Sequence, residues 1–165
     1  PPFQADRAPR LPDNTWPEER LQKVLRNYAM EYITSIVPEA IRVPGPEEGG
    51  HLEGAAARLV GMHCFDEVAA LLGGVEAGAI GFAKAFARLA RGQDDDAELQ
   101  LEGSRASVRQ TSWRLMAERE ALSPAAFDAW NELWIGAALA HDRFMRVEVT
   151  ERRDRGDAHW CWQFS

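Results

Sequence analysis
Residues 144–165 read FMRVEVTERRDRGDAHWCWQFS, and this stretch decides the fold. Met145, Val147 and Val149 alternate with polar residues, the period of a strand with one face buried. The chain then turns through Asp154-Arg155-Gly156-Asp157 and returns as Ala158-His159-Trp160-Cys161-Trp162-Gln163-Phe164. A period of two sends Trp160, Trp162 and Phe164 to one face and His159, Cys161 and Gln163 to the other. The aromatic set pairs across the ladder with Met145, Val147 and Val149, and is expected to face helices.

Upstream, Ser123-Pro124 is a helix start, with proline at the first position, where its missing N–H costs nothing. The helix places Phe127, Trp130, Leu133, Trp134, Ala137, Ala138 and His141 on one stripe. An earlier hairpin is read from Glu98-Leu99-Gln100-Leu101 and Ala106-Ser107-Val108-Arg109, joined by Glu102-Gly103-Ser104-Arg105. Trp113, Leu115 and Met116 follow it in a short helix or loop.

The N-terminal half is helical by pattern. Thr15 and Glu18 form a capping box, and Leu21, Val24, Leu25, Tyr28, Tyr32, Ile33 and Ile36 lie on one face as far as Pro38. Val43 to Gly50 is expected to be a loop. A second helix from Leu52 to Leu72 carries Ala56, Leu59, Val60, His63, Glu67 and Leu71 along one face. A third, Val75 to Arg91, has a broad, alanine-rich apolar arc and stops at Gly92. Gln93-Asp94-Asp95-Asp96 reads as a solvated turn without the ligand spacing of a calcium loop. Residues 1–14 hold four prolines and are expected to form an extended arm, leaving one domain over 15–165.

Helices, a hairpin, a helix and a second hairpin make an α+β pattern: a helix-rich single domain with about four antiparallel strands packed against helices. The 165 residues suffice for one core without disulfides. The net charge of −7 argues against a nucleic-acid partner. Arg143, Arg146, Arg152, Arg153 and Arg155 are interleaved with Glu148, Glu151 and Asp154, so they make no concentrated basic surface. Two cysteines make no disulfide framework, and no apolar run is long enough to span a membrane. A cytoplasmic protein without membrane contact is therefore expected.

Four kinds of chemistry are open to these residues. His51, Glu53, His63, Cys64, Glu67, His141, Asp142, His159 and Cys161 are of metal-ligand type, but in no ligand spacing, so neither a metal nor a cofactor is expected. For acid–base catalysis, His141 on its apolar stripe and His63 with Glu67 one turn later are the candidates. Cysteine catalysis has no signature: His63 and Cys64 point apart on a helix, and His159 and Cys161 are loosely placed on one strand face. Small-molecule binding is suggested by six tryptophans, since clustered tryptophans line pockets and interfaces as well as cores. Trp113, Trp130, Trp134, Tyr32 and Cys161 are the expected lining. The glycine pair Gly73-Gly74 lacks the context of a phosphate loop.

The helix segment Trp134-Ile135-Gly136-Ala137, a strand, and then Gly156-Asp157-Ala158-His159-Trp160-Cys161-Trp162-Gln163-Phe164 resemble the end of the 4-vinyl reductase domain family. The resemblance implies an α+β small-ligand domain, in some members sensory and in others linked to reduction of a tetrapyrrole side group. It singles out Cys161 and Asp157.

The sequence thus leads to a domain that binds a small, partly apolar molecule in a tryptophan-lined pocket, as a homodimer. Two alternatives stay open: a small cofactor-independent hydrolase, isomerase or lyase with a pocket histidine as general base, and a protein-interaction module.

Overall fold
In a computed structural model, which describes residues 16–114, 116 and 124–165, four helices pack with a four-stranded antiparallel sheet. The helices are α1 (Glu18–Arg42), α2 (Pro46–Leu71), α3 (Gly78–Gly92) and α4 (Pro124–His141). The strands are β1 (Ala97–Glu102), β2 (Arg105–Gln110), β3 (Val147–Glu151) and β4 (Trp160–Phe164), ordered β1-β2-β4-β3. Of the sequence expectations, the arm at 1–14, the Thr15 cap and Ser123 fall outside the described residues, as do the side chains of 29–38.

Each hairpin forms from adjacent strands, and β4 slots beside β2, which places the most apolar strand inside the sheet. Val108 lies opposite Trp162, and Ala106 opposite Phe164. On the other side of β4, Val147 meets Phe164 and Val149 meets Trp162, with a bulge before Glu151. Trp160, Trp162 and Phe164 are buried against α3 and α4 as expected, while Cys161 on the opposite face of β4 is buried as well. Gly156, with φ of 97°, occupies the left-handed position that ends the 3₁₀ turn Arg153–Arg155 between β3 and β4.

That turn is fastened to α4 by Arg152. Its guanidinium, 10% exposed, bonds Asp128 at 2.7 Å and Asp154 at 2.6 Å and lies 4.0 Å over the Phe127 ring. The Asp157 carboxylate accepts the Arg152 backbone N–H at 2.7 Å. Charge, hydrogen bonds and ring contact therefore converge on one side chain.

Three corrections to the sequence reading have physical causes. Helix α1 runs past Pro38 to Arg42, and α2 already begins at Pro46, so the connection is short. Proline is well tolerated at the first position of α2, which is where Pro46 stands. The apolar stripe of α1 is not buried at its start: Val24, Leu25 and Tyr28 are exposed. The Asp turn is not wholly solvated. Asp95 is buried; its Oδ1 accepts the Arg114 N–H at 2.8 Å, while Oδ2 has no partner among the described residues. Burial pushes this carboxyl up to about 6, offset in part by the Arg114 N–H and charge. Beside it, Asp94 and the Gly92 carbonyl receive Arg26, which ties α1 to the body.

A further finding concerns α2. The face that the sequence reading singled out, Ala56, Leu59, Val60, His63, Glu67 and Leu71, is exposed. The face that packs on α4 consists of Gly50, Gly54, Gly61 and Phe65. Gly61 and Gly136 sit at the crossing, where the backbone of Leu133 and Ala137 fills the space that a Gly61 side chain would need, and that of Arg58 the space for one on Gly136. Small residues let two backbones come this close, so the contact is built from dispersion rather than from large apolar side chains.

Candidate functional site
Four of the six tryptophans, Trp113, Trp134, Trp160 and Trp162, belong to the core, and Trp16 at the start of the described chain is exposed. Trp113, carried by the segment after β2, meets Trp160 and Trp162 edge-on at centroid distances of 5.8 and 5.3 Å, and Phe127 at 5.7 Å. Trp134 packs on Phe86 at 4.0 Å. Trp130 is half-buried at the margin of the same cluster. Trp162 donates its indole N–H to Asn131 Oδ1 at 2.9 Å, whereas the indole N–H groups of Trp113, Trp134 and Trp160 find no partner among the described residues. None of the described grooves has a tryptophan in its wall. The side chain of Tyr32 lies outside the described residues.

The two candidate histidines are far apart in environment. His141 sits edge-on to Phe65 at 5.3 Å and tilted on Phe82 at 5.7 Å, and its Nε2 lies 3.3 Å from the Gly78 carbonyl oxygen. With a carbonyl as its partner, Nε2 donates the bond and ties the end of α4 to the start of α3. His63 and Glu67 are both exposed on α2, with no hydrogen bond between them among the described residues. His63 leaves α2 on its outward side, while Phe65, which touches His141, is on the inward side. The structure does not bring the three expected catalytic residues together.

On the outer face of the sheet, Cys161 lies in register between Arg109 and Glu151. Arg109 and Glu151 form an ion pair at 2.8 Å, and His159 Nδ1 is 3.4 Å from the other Glu151 oxygen. Cys161 is buried and Cys64 is exposed, and both are free thiols. The described residues include no group of three His, Cys, Asp or Glu side chains placed to hold a metal.

Two further surface features involve α2. A groove of about 510 Å³ runs along the seam between α2 and α4, with Gly50, Gly54 and Ala125 at its base and Glu47, Asp128 and Glu132 on its rim. Arg58 and Glu132 bond across it. Next to it, the outward face of α2 presents Leu52, Leu59, Val60 and Met62, exposed by 65, 55, 52 and 43%. Ala55 and Ala56, also exposed, complete the strip between them. At about 100° per residue, Leu52, Ala56, Leu59 and His63 fall on one line along the helix axis.

The sequence reading put Ala56, Leu59, Val60 and His63 on one face of this helix and did not say which way that face turns. The signal that could have settled this is the spacing Gly50, Gly54, Gly61 on the opposite side. Three glycines on one helix face, facing Ala125, Ala129 and Gly136 on α4, mark the side where a backbone approaches.

No known family model matches this sequence, and neither does any curated protein. Among solved structures, the chain is similar to the crystal structure of a trafficking protein particle complex subunit 3 from Naegleria fowleri covalently bound to palmitic acid. The TM-score is 0.62 at 15% sequence identity, over 86% of this chain and 95% of that one. At this identity the likeness concerns the fold: helices and a small antiparallel sheet in one α+β arrangement.

Proposed function
We propose that this chain is a protein-interaction module, a subunit that joins protein partners through the outward face of α2. One observation carries the reading: Leu52 and Leu59 stand exposed on one line of α2, flanked on either side by exposed Val60 and Met62, on a helix whose other face is sealed by glycine packing. Single exposed apolar residues are ordinary, but a patch of them on one side of a helix marks a contact surface. The fold that the chain shares with a subunit of a multi-protein complex supports the same reading. The free thiols Cys64 and Cys161 suit the cytoplasm as the proposed compartment.

The other readings draw less support. The α2–α4 groove has the volume of a small-molecule site, but the expected tryptophans are packed elsewhere. An acid–base enzyme would need His63 or His141 poised over a cavity. His63 is exposed and has no hydrogen-bond partner among the described residues, and the His141 Nε2 is engaged by a backbone carbonyl.

The test is affinity capture from a lysate of the source cells with the wild-type chain and with a Leu52→Asn/Leu59→Asn variant of equal thermal stability. The proposal expects partners held by the wild type and lost by the variant. An unchanged set of partners would overturn it.

A further inference from the structure
The charges around the α2 row say what kind of partner suits it. Glu48 precedes the apolar stretch from Leu52 to Met62, Glu53 stands beside Leu52 at its N-terminal end, and Asp66 and Glu67 follow it. Glu47 extends the acidic end into the neighbouring groove. The whole of α2 holds five carboxylates, Glu47, Glu48, Glu53, Asp66 and Glu67, against one guanidinium, Arg58, and that one bonds Glu132 of α4. Among the described residues these five carboxylates have no ion-pair partner.

We infer that the partner segment is a basic amphipathic helix, laid along α2 with apolar residues over Leu52 and Leu59 and lysine or arginine at both ends of the contact. The inference rests on the interaction reading and deepens it. Helices dock on such faces through anchors at i, i+3 or i+4 and i+7, and Leu52 and Leu59 are seven apart. A second copy of α2 fits poorly. In an antiparallel pair, Glu48 and Glu53 of one copy would face Asp66 and Glu67 of the other, and a parallel pair would align each carboxylate with itself. Both arrangements set like charges together at the rim of an apolar contact, which excludes the wrong partner. A homodimer would have to use a different surface.

The experiment measures binding to two synthetic helices of about 18 residues, roughly 27 Å long. One carries leucine along a single face and lysine at both ends of it; its twin carries glutamate in place of lysine. Three full-length proteins are compared: wild type, the Leu52→Asn/Leu59→Asn variant, and a charge-inverted variant with Glu48, Glu53, Asp66 and Glu67 each changed to lysine. Circular dichroism establishes that each is folded, and a glutamine version of the four changes serves if the inverted chain is not.

The expected result is that the wild type binds the lysine helix at least about tenfold more tightly than the glutamate helix, a margin that shrinks with added salt. Charge inversion reverses the preference (the glutamine version abolishes it), and the Leu52→Asn/Leu59→Asn variant binds neither helix. Equal binding of both helices by the wild type, or an unreversed preference in the inverted chain, overturns the charge assignment but leaves the interaction reading standing. Undiminished binding of the lysine helix by the leucine variant overturns the docking site itself, as does binding of neither helix by the wild type. Self-association of the wild type that the leucine variant loses would make the occupant a second copy and overturn the inference.

Discussion

Gly61 of α2 and Gly136 of α4 hold their helices so close that a Cβ on Gly61 would lie 2.1 Å from the Leu133 carbonyl oxygen, and one on Gly136 would lie 2.2 Å from that of Arg58. Both obstacles are backbone, so no side chain can swing away. Alanine is the better helix former by about 1 kcal/mol, yet overpacking against backbone costs about 1–3 kcal/mol or more. Gly61→Ala and Gly136→Ala are therefore expected to lower stability by a net amount on the order of 1–2 kcal/mol, read from urea denaturation midpoints. Gly92→Ala, where nothing lies within 4 Å, is the control and should be neutral or mildly stabilising.

Arg152 offers a second test. Removing it leaves Asp154, with a side chain 2% exposed, without its cation, and strips Phe127 of the guanidinium above it. Breaking a buried pair in this way costs about 3–5 kcal/mol, so Arg152→Leu should destabilise the chain by an amount near the lower end, since Asp128 is solvated. Arg152→Lys should recover only part, because lysine cannot bond two carboxylates and cover a ring at once. Thermal unfolding of the two variants distinguishes these outcomes.

Asp95 makes stability depend on pH. Its carboxyl is raised to about 6 in the folded chain, so folding favours the protonated form. The unfolded carboxyl titrates near 4, and stability falls as pH rises from there through about 6, after which the penalty is fully present. Asp95→Asn should be more stable than the wild type at pH 8 by about 1–3 kcal/mol and nearly equal to it at pH 4, with the gap closing between. A gap that widens toward acid would contradict the assignment.

The tryptophan cluster makes a fourth prediction. Trp113 packs against Phe127, Trp160 and Trp162 and is 1% exposed. Trp113→Ala should cost about 3–5 kcal/mol, the range for a large aromatic in a sealed core. A loss below about 1 kcal/mol, the size seen at exposed positions, would put Trp113 back in a pocket wall.

How much of this was legible follows from what each pattern measures. Period two was clear at Trp160, Trp162 and Phe164 because alternation in a strand depends on local geometry alone, and the α+β architecture came with it. The buried face of α2 was not legible because apolar periodicity reports where large hydrophobic side chains lie, not which face is buried. Gly50, Gly54 and Gly61 contribute little hydrophobicity, yet they allow the close approach that seals α2 to α4, while Leu52 and Leu59 are left outside. Asp95 was also invisible: nothing in a run of three aspartates tells which one the Arg114 N–H draws inward. His141 was correctly placed on an apolar stripe, but its partner, the Gly78 carbonyl, comes from a helix start 63 residues away.

In the proposed division of α2, the inward face holds the fold and the outward face holds a partner. Site-specific photo-crosslinking tests it most directly, with the reactive group placed at Leu59 in one protein and at Gln163, on the outer face of the sheet, in another. The account predicts a discrete crosslinked protein from position 59, absent from position 163 and lost when Leu52→Asn is added. Equal crosslinking from both positions, or from neither, would contradict it.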